Sequence, residues 1–138
     1  MQKFSLFLLR ISIGGMFLYA GVTKIMDSTW SAASYLQGAK LFPEFYNYLL
    51  QPGVLPIVNL LNEWGLTLIG ISLILGIFVW ISAPLGAIMM LLYYLPLGFP
   101  MPNPHAYIVD EHIVYIAALL VLAAFQAGKS WGLGSKIG

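Results

Sequence analysis

The longest stretch of the chain without a formal charge runs from Trp64 to Val109, where no Asp, Glu, Lys or Arg occurs. At 1.5 Å per residue, one continuous helix over this stretch would be roughly 69 Å long, whereas a single membrane crossing needs only about 30 Å. The stretch must therefore fold back on itself once. This favours a chain that crosses a lipid bilayer several times.

The composition agrees with a membrane protein. Of the 138 residues, 60% are hydrophobic and 8% are charged, whereas a soluble domain carries about 25% charged residues. So few charges could not cover a water-facing surface, and the net charge of +1 gives no basic surface for nucleic acid. The absence of cysteine excludes disulfide scaffolds, thiolate metal sites and iron–sulfur clusters, so any redox chemistry must belong to a bound cofactor or a partner.

Four apolar runs predict four transmembrane helices in a single domain, residues 1–138. The predicted spans cover about residues 4–26, 54–80, 83–97 and 108–126. The first run is interpreted as a retained span and not as a cleaved signal, because Arg10 interrupts it and no small-residue cleavage site follows. Between the second and third spans we predict a turn at residues 80–84, with Ser82 as the cap and Pro84 in the first helical turn.

Basic residues near the ends of the spans predict the orientation, because short cytoplasmic segments are enriched in Lys and Arg. Four of them lie at the end that carries both termini, and two lie at the opposite end: Lys3, Arg10, Lys129 and Lys136 against Lys24 and Lys40. The expected fold class is therefore an all-α, four-transmembrane-helix bundle with both termini in the cytoplasm and the 28–53 connection outside.

The outer connection is predicted to contain two short helices. Ser28 or Thr29 can cap the first, which Gly38 would end, and the second would run from Pro43 to Gln51. The connection is rich in Trp, Tyr and Phe, which settle at the depth of the lipid headgroups. It is therefore expected to be an interfacial anchor or, alternatively, a lid over a cavity at the outer ends of the spans.

Two ionisable residues fall inside the predicted spans. Arg10 lies about 10 Å into the first span and Glu63 about 14 Å below the outer boundary, so their axial gap is about 6 Å. A long arginine side chain can bridge that gap, and we predict an ion pair between Arg10 and Glu63 in the bundle interior. Such residues mark functional sites in membranes, although a buried pair can also serve only to fix the helix register.

A second polar group is expected near the outer boundary. It comprises Lys24 at the end of the first span, with Asp110 and Glu111 at the start of the fourth. His112 follows about 200° round the helix from Asp110, so the two are predicted to lie on different faces, and Asp110 is alternatively a helix N-cap. Because His105 and His112 are the only histidines and lie in one segment, haem ligation is not expected, and no metal site is predicted.

Residues spread over the whole chain carry a resemblance to a known family. They are Arg10, Gly14, Gly21 and Lys24 in the first span, Asn62, Glu63, Gly70 and Gly76 in the second, Asp110, Glu111, His112 and Tyr115 in the fourth, and Gly128, Lys129, Gly132 and Leu133 after it. With this pattern the chain resembles the DoxX family of small four-helix membrane proteins of bacteria and archaea. Related DoxD-like proteins form the membrane subunit of an archaeal thiosulfate:quinone oxidoreductase, so the resemblance implies a quinone-linked role in a prokaryotic inner membrane.

The expected function is that of a membrane redox subunit that holds a quinone head group between the outer halves of the helices. The candidate catalytic residues are Glu63 and His112, and the candidate binding residues are Arg10, Tyr19, Lys24, Glu63, Tyr107, Asp110, Glu111 and His112. Expected partners are membrane lipid, a second redox subunit and a second copy of this chain. The alternative is a non-catalytic membrane protein that binds an isoprenoid or lipid, or that acts as a scaffold in an envelope complex.

Overall fold

The computed structural model describes residues 1–137, which form helices and no β-strand. The seven α-helices are α1 (Gln2–Met26), α2 (Ala33–Gln37), α3 (Pro43–Leu49), α4 (Leu55–Leu75), α5 (Val79–Tyr94), α6 (Glu111–Ala124) and α7 (Gly134–Ile137). Two single-turn 3-10 helices, Leu95–Leu97 and Ala127–Lys129, follow α5 and α6. The expected all-helical fold class is confirmed.

Three helices are long and apolar enough to cross a membrane: α1, α4, and α5 together with the 3-10 helix that extends it to Leu97. The fourth predicted span corresponds to α6, which is apolar but has 14 residues. At 1.5 Å per residue α6 is about 21 Å long, shorter than the roughly 30 Å of hydrocarbon in a bilayer. The chain thus has the helices of a multi-pass membrane protein, three of membrane-spanning length and one shorter.

The helices pack in pairs, α1 against α4 and α5 against α6. Glycines allow the first pair to approach closely, because a Cβ atom at Gly70 would lie 2.5 Å from the Leu18 nitrogen and one at Gly21 would lie 2.5 Å from the Thr67 nitrogen. Gly86 of α5 makes room for Phe17 of α1 where the two pairs meet. The largest apolar side chains of the shared core are Phe17, Leu66, Leu73, Leu119 and Leu122.

The turn between α4 and α5 lies earlier in the chain than predicted. Gly76 ends α4 with a left-handed φ of 73°, and Phe78 precedes the first residue of α5. Glycine takes this conformation without the steric cost of a Cβ atom, which makes Gly76 a stronger stop than the predicted start at Ser82. Ser82 lies within α5, where its Oγ is 2.7 Å from Ser72 Oγ and ties α5 to α4.

Arg10 is fully buried, but its partners are backbone carbonyls and not a carboxylate. Its Nη1 donates to the Leu73 and Ile74 oxygens at 2.7 and 3.0 Å, and its Nη2 donates to the Ser130 oxygen at 3.2 Å. The last four carbonyls of a helix have no intrahelical donors and carry partial negative charge, so they suit a guanidinium.

The predicted Arg10–Glu63 ion pair is therefore wrong. Glu63 lies ten residues before Leu73 on α4, which corresponds to roughly 15 Å along the helix axis. Its side chain is half-buried and forms no ion pair with any residue of the described chain, 1–137. The register of α1 and α4 thus sets Arg10 against the end of α4, well away from the acidic residue.

The segment after α6 packs around the same guanidinium. Leu133 donates its amide to the Leu75 oxygen at 3.0 Å, and a Cβ atom at Gly132 would lie 3.2 Å from Arg10 Nη2. Trp131 contacts Phe7 of α1, with the ring centroids 5.3 Å apart. Arg10 therefore joins three parts of the chain: α1, the end of α4 and the C-terminal segment.

The connection between α1 and α4 forms two short helices as predicted, but α2 begins after Ala32 and not after Ser28 or Thr29, and α3 ends at Leu49. Asp27 accepts hydrogen bonds from the Thr29 amide at 3.0 Å and the Thr29 hydroxyl at 2.6 Å, which fixes the turn after α1. Asn59 of α4 accepts a hydrogen bond from the Ala32 amide at 2.9 Å. The connection is thereby fastened to the first turns of α4.

Tyr46 of α3 fastens the connection to the end of α5. In a regular helix the Leu92 oxygen would accept a hydrogen bond from the amide of residue 96, but that residue is Pro96 and has no amide hydrogen. The Tyr46 hydroxyl, 2.9 Å from the Leu92 oxygen, supplies the missing donor. The Tyr46 side chain is buried, and the hydrogen bond is partly buried.

We predict that Arg10→Met lowers the free energy of unfolding by about 3–5 kcal/mol, because three charge-assisted hydrogen bonds are lost and buried carbonyls are left without donors. Glu63→Gln is the matched comparison, and it should change stability by less than about 1 kcal/mol because Glu63 has no charged partner here. Reversible unfolding in mixed micelles measures the free energy of unfolding of both variants. Equal losses of stability in the two variants would instead support an Arg10–Glu63 ion pair.

We also predict that Tyr46→Phe destabilises the protein by about 1 kcal/mol, because the hydrogen bond from the buried Tyr46 side chain to the Leu92 carbonyl is lost. Tyr48→Phe, on the same helix, is the control, because the Tyr48 side chain is 56% exposed and its hydroxyl binds no residue within 1–137. The same unfolding assay applies. A Tyr46 variant as stable as the Tyr48 variant would show that water or lipid satisfies the carbonyl.

Candidate functional site

A polar cluster lies at the start of α6, and Asp110 is its centre. The Asp110 backbone is extended, with φ −114° and ψ −169°, and its Oδ1 accepts hydrogen bonds from the His112 amide at 2.9 Å and the Ile113 amide at 3.2 Å. This is the geometry of a helix N-cap. The N-cap interpretation of Asp110 is confirmed, and it leaves the second carboxylate oxygen available for another partner.

That second oxygen holds His112. The distance from Asp110 Oδ2 to His112 Nδ1 is 2.9 Å, and only 2% of the aspartate side chain and 15% of the histidine side chain are exposed. The prediction that these residues cannot share a face is wrong, because Asp110 lies outside the helix, where the rotation of 100° per residue does not apply. The structure thus forms a carboxylate–imidazole pair from two residues in one turn.

The pairing determines what His112 can do chemically. When Nδ1 carries a hydrogen for the carboxylate, Nε2 of the neutral ring is a hydrogen-bond acceptor, and after protonation Nε2 becomes a donor. Nε2 forms no hydrogen bond with residues 1–137. The Asp110–His112 pair can therefore take up or release one proton at a single defined atom.

Residues of α4 and α5 complete the cluster. The edge of the Tyr93 ring faces His112, with the ring centroids 6.4 Å apart, and the Tyr93 hydroxyl donates to Asn62 Oδ1. The Asn62 amide in turn donates to the Val58 oxygen at 2.8 Å. Three helices thus bring Asn62, Tyr93 and His112 to one place. We call these three residues and Asp110 the His112 cluster.

The His112 cluster lies below the end of α4 at which the connection from α1 enters. Asn62 is seven residues after the first residue of α4, which corresponds to a depth of about 10 Å along the helix axis. Tyr93 near the end of α5 and His112 at the start of α6 lie at this level. A membrane that surrounds α1 and α4 would therefore place the cluster within its hydrocarbon region, on the side of the α1–α4 connection.

The connection between α1 and α4 reaches over the cluster through Tyr35 of α2. The Tyr35 hydroxyl donates to the backbone carbonyl oxygen of Tyr93 at 2.7 Å, and the two rings are in edge contact. Burial, with a smaller effect of the nearby Asp110 carboxylate, raises the pKa of Tyr35 to about 12. The hydroxyl therefore remains a protonated donor at neutral pH, and this contact holds α2 against the site.

The remaining predicted site residues are not gathered at the cluster. Tyr19 is 74% exposed on α1, Tyr107 is 67% exposed in the loop before α6, and Glu111 is exposed beside Asp110. Lys24 points its ammonium towards the Trp30 ring, 5.4 Å from the centroid. None of these side chains, nor that of Glu63, forms a hydrogen bond to Asp110 or His112 in the part of the chain described.

Sequence reasoning did not single out Tyr93, although a weak signal was present. Tyr93 and Tyr94 are the only tyrosines in the third apolar run, directly before the proline-rich segment. Tyr94 donates its hydroxyl to the Ile108 oxygen and so fastens the loop before α6 to α5. Residues 1–137 contain no group of three His, Asp or Glu side chains that could hold a metal ion.

Comparison with curated proteins and with solved structures gives no match. A family model does match: the DoxX model aligns with residues 5–99, more than half of the chain. The matched region runs from α1 to the end of α5 and includes Asn62 and Tyr93, whereas Asp110 and His112 lie beyond it. The chain belongs to the DoxX family.

Proposed function

We propose that this chain is the membrane subunit of a quinone-linked redox system and that a quinone head group binds beside His112. The Asp110–His112 pair carries the proposal, because it presents one ring nitrogen without a partner in the described chain at a depth that a bilayer-soluble molecule can reach. The family and the resemblance to subunits of quinone-linked enzymes support the same reading. The redox chemistry itself would be that of the bound quinone, which exchanges two electrons and two protons.

The residues of the cluster fit a carbonyl or hydroxyl group of such a ligand. His112 Nε2 can accept a hydrogen bond from a hydroxyl or, once protonated, donate one to a carbonyl. Asp110 holds the ring orientation through Nδ1 and compensates the positive charge when the ring is protonated. The Tyr93 ring forms a wall beside His112, and its hydroxyl is held by Asn62. Asp110 and Asn62 are therefore positioning residues, and His112 is the proton-transferring group.

The electrons must come from or pass to another protein. The chain has no cysteine for a thiol relay, so a second redox subunit is part of the proposal. The outer connection would restrict water at the cluster, because Tyr35 and Tyr46 bind the carbonyls of Tyr93 and Leu92. This supports the interpretation of the connection as a lid.

The proposed topology has four crossings of a prokaryotic inner membrane, with α6 as the fourth. Both termini lie in the cytoplasm, because the end that carries them holds four of the six basic side chains. The His112 cluster then belongs to the outer half of the membrane. Protons released at His112 would leave on the outer side, opposite the termini.

We predict that His112→Gln weakens quinone binding by about tenfold or more, the loss of one hydrogen bond to a group that becomes charged. His105→Gln is the matched control, because His105 is the only other histidine and lies exposed in the loop before α6. Quenching of tryptophan fluorescence by a short-chain quinone measures both in nanodiscs. Asp110→Asn keeps an N-cap side chain and should give an intermediate loss.

Equal affinities of the His112 and His105 variants would overturn the quinone site. If, in addition, a bound isoprenoid or lipid copurifies with the protein and is unaffected by either variant, the chain is a non-catalytic lipid-binding or scaffold protein. Mass spectrometry of the extracted small molecules separates these results.

The topology is tested with single cysteines, which need no prior removal of native ones because the chain has none. We predict that Asn103→Cys reacts with a membrane-impermeant maleimide added outside the cytoplasmic membrane, whereas Ser135→Cys reacts only after the membrane is opened. Both residues are exposed. Labelling of both from the same side would show that the number of crossings between them is even, in contradiction of a crossing by α6.

A further inference from the structure

Charged side chains are segregated along the molecule. All five acidic residues belong to the end that holds the outer connection and the start of α6: Asp27, Glu44, Glu63, Asp110 and Glu111. The opposite end, formed by the start of α1, the 76–78 turn and the segment after α6, has basic side chains and no acidic side chain. We call this the basic end. An anion that approaches the basic end meets no repulsion from a carboxylate side chain.

A cavity of about 140 Å³ opens at the basic end, between the 76–78 turn and the segment after α6. This volume is roughly ten times the minimum that holds one water molecule, so a phosphate with a short polar substituent fits. Lys129 lines the cavity, and its exposed ammonium has no hydrogen-bond or ion-pair partner within residues 1–137. Phe78 and Trp80 line the same cavity and are exposed, in the manner of aromatic side chains at headgroup depth.

Two backbone carbonyls at the cavity indicate a second property of a suitable ligand. Gly76 and Gly128 both line the cavity, and neither of their oxygens accepts a hydrogen bond from the part of the chain that is described. The two oxygens lie close together, because a Cβ atom at Gly134 would be 2.6 Å from the first and 3.0 Å from the second. Carbonyl oxygens without an internal donor can accept hydrogen bonds from hydroxyl groups. A suitable ligand therefore carries both a negative charge and hydroxyl donors.

We propose that this cavity binds the headgroup of a phosphatidylglycerol-type lipid from the adjoining leaflet. The phosphate lies against the Lys129 ammonium, and the glycerol hydroxyls donate to the Gly76 and Gly128 carbonyls. The acyl chains pass the exposed Phe78 and Trp80 side chains into the bilayer. The lipid would then cover the packing of the C-terminal segment around Arg10, at the end of the molecule opposite the His112 cluster.

The test uses the full chain in detergent freed of phospholipid, with phosphatidylglycerol, phosphatidylcholine or inorganic phosphate added. We expect phosphatidylglycerol to raise the unfolding temperature and to remain bound in native mass spectrometry, with no such effect of the other two. Lys129→Gln should weaken phosphatidylglycerol binding about fivefold, in line with the attraction of one lysine to an anionic headgroup. Lys129→Arg should keep the affinity within about twofold of the parent, since the charge is retained.

Lys136→Gln is the matched control, because Lys136 is exposed at the same end but does not line the cavity. The affinity of the Lys136→Gln variant for phosphatidylglycerol should stay near that of the parent protein. Equal losses in the Lys129 and Lys136 variants would overturn the site in favour of a general attraction to the basic end. Equal effects of phosphatidylglycerol and phosphatidylcholine would overturn it as well, and an equal effect of inorganic phosphate would show that the lipid is not the ligand.

Discussion

A buried positive charge that binds backbone carbonyls and no carboxylate is the constraint on which the helix arrangement depends. The Arg10 guanidinium has left water, so its donors must find acceptors, and the free carbonyls at the end of α4 provide them. Only Nε lacks a partner within residues 1–137. The third acceptor, the Ser130 oxygen, belongs to the segment after α6 and draws it to the same point. The helix register, the end of α4 and the path of the C-terminal segment are thus coupled.

The residues next to the guanidinium are small for the same reason. A Cβ atom at Gly76 would lie 2.5 Å from Arg10 Nη1, and the left-handed backbone there also favours glycine. The position that stops α4 is therefore the position that admits the arginine. At the opposite end the polar groups are organised differently. Asp110 binds His112, the Tyr93 ring lies beside the His112 ring, and one nitrogen of His112 has no partner in the described chain.

The apolar runs are enough to predict an all-helical chain. Gly38 and Pro43, which separate the two short helices, are enough to predict α2 and α3. The turn before α5 was misplaced because Ser82 and Pro84 resemble a helix start, whereas Gly76 is one of many glycines in an apolar run. Which glycine adopts a left-handed backbone depends on tertiary contacts. That information is not local.

The candidate site was predicted only in part. His112 and Asp110 were named, but a helical-wheel argument was applied to a residue that precedes the helix. The sequence offers Glu63 as a charged side-chain partner for Arg10. Backbone carbonyls occur at every position, so the sequence cannot single out the ones that Arg10 binds. Tyr93 and Asn62 lie on different helices, and only the folded chain brings them to His112.

The unequal lengths of the helices affect the surrounding bilayer. The 25 residues of α1 extend about 37 Å and the 14 residues of α6 about 21 Å, so the two sides of the molecule present hydrophobic belts of different height. Around a membrane-crossing α6 the bilayer would have to thin locally, which costs a fraction of a kcal/mol for each ångström of mismatch. A second protein that covered α6 would remove this elastic cost.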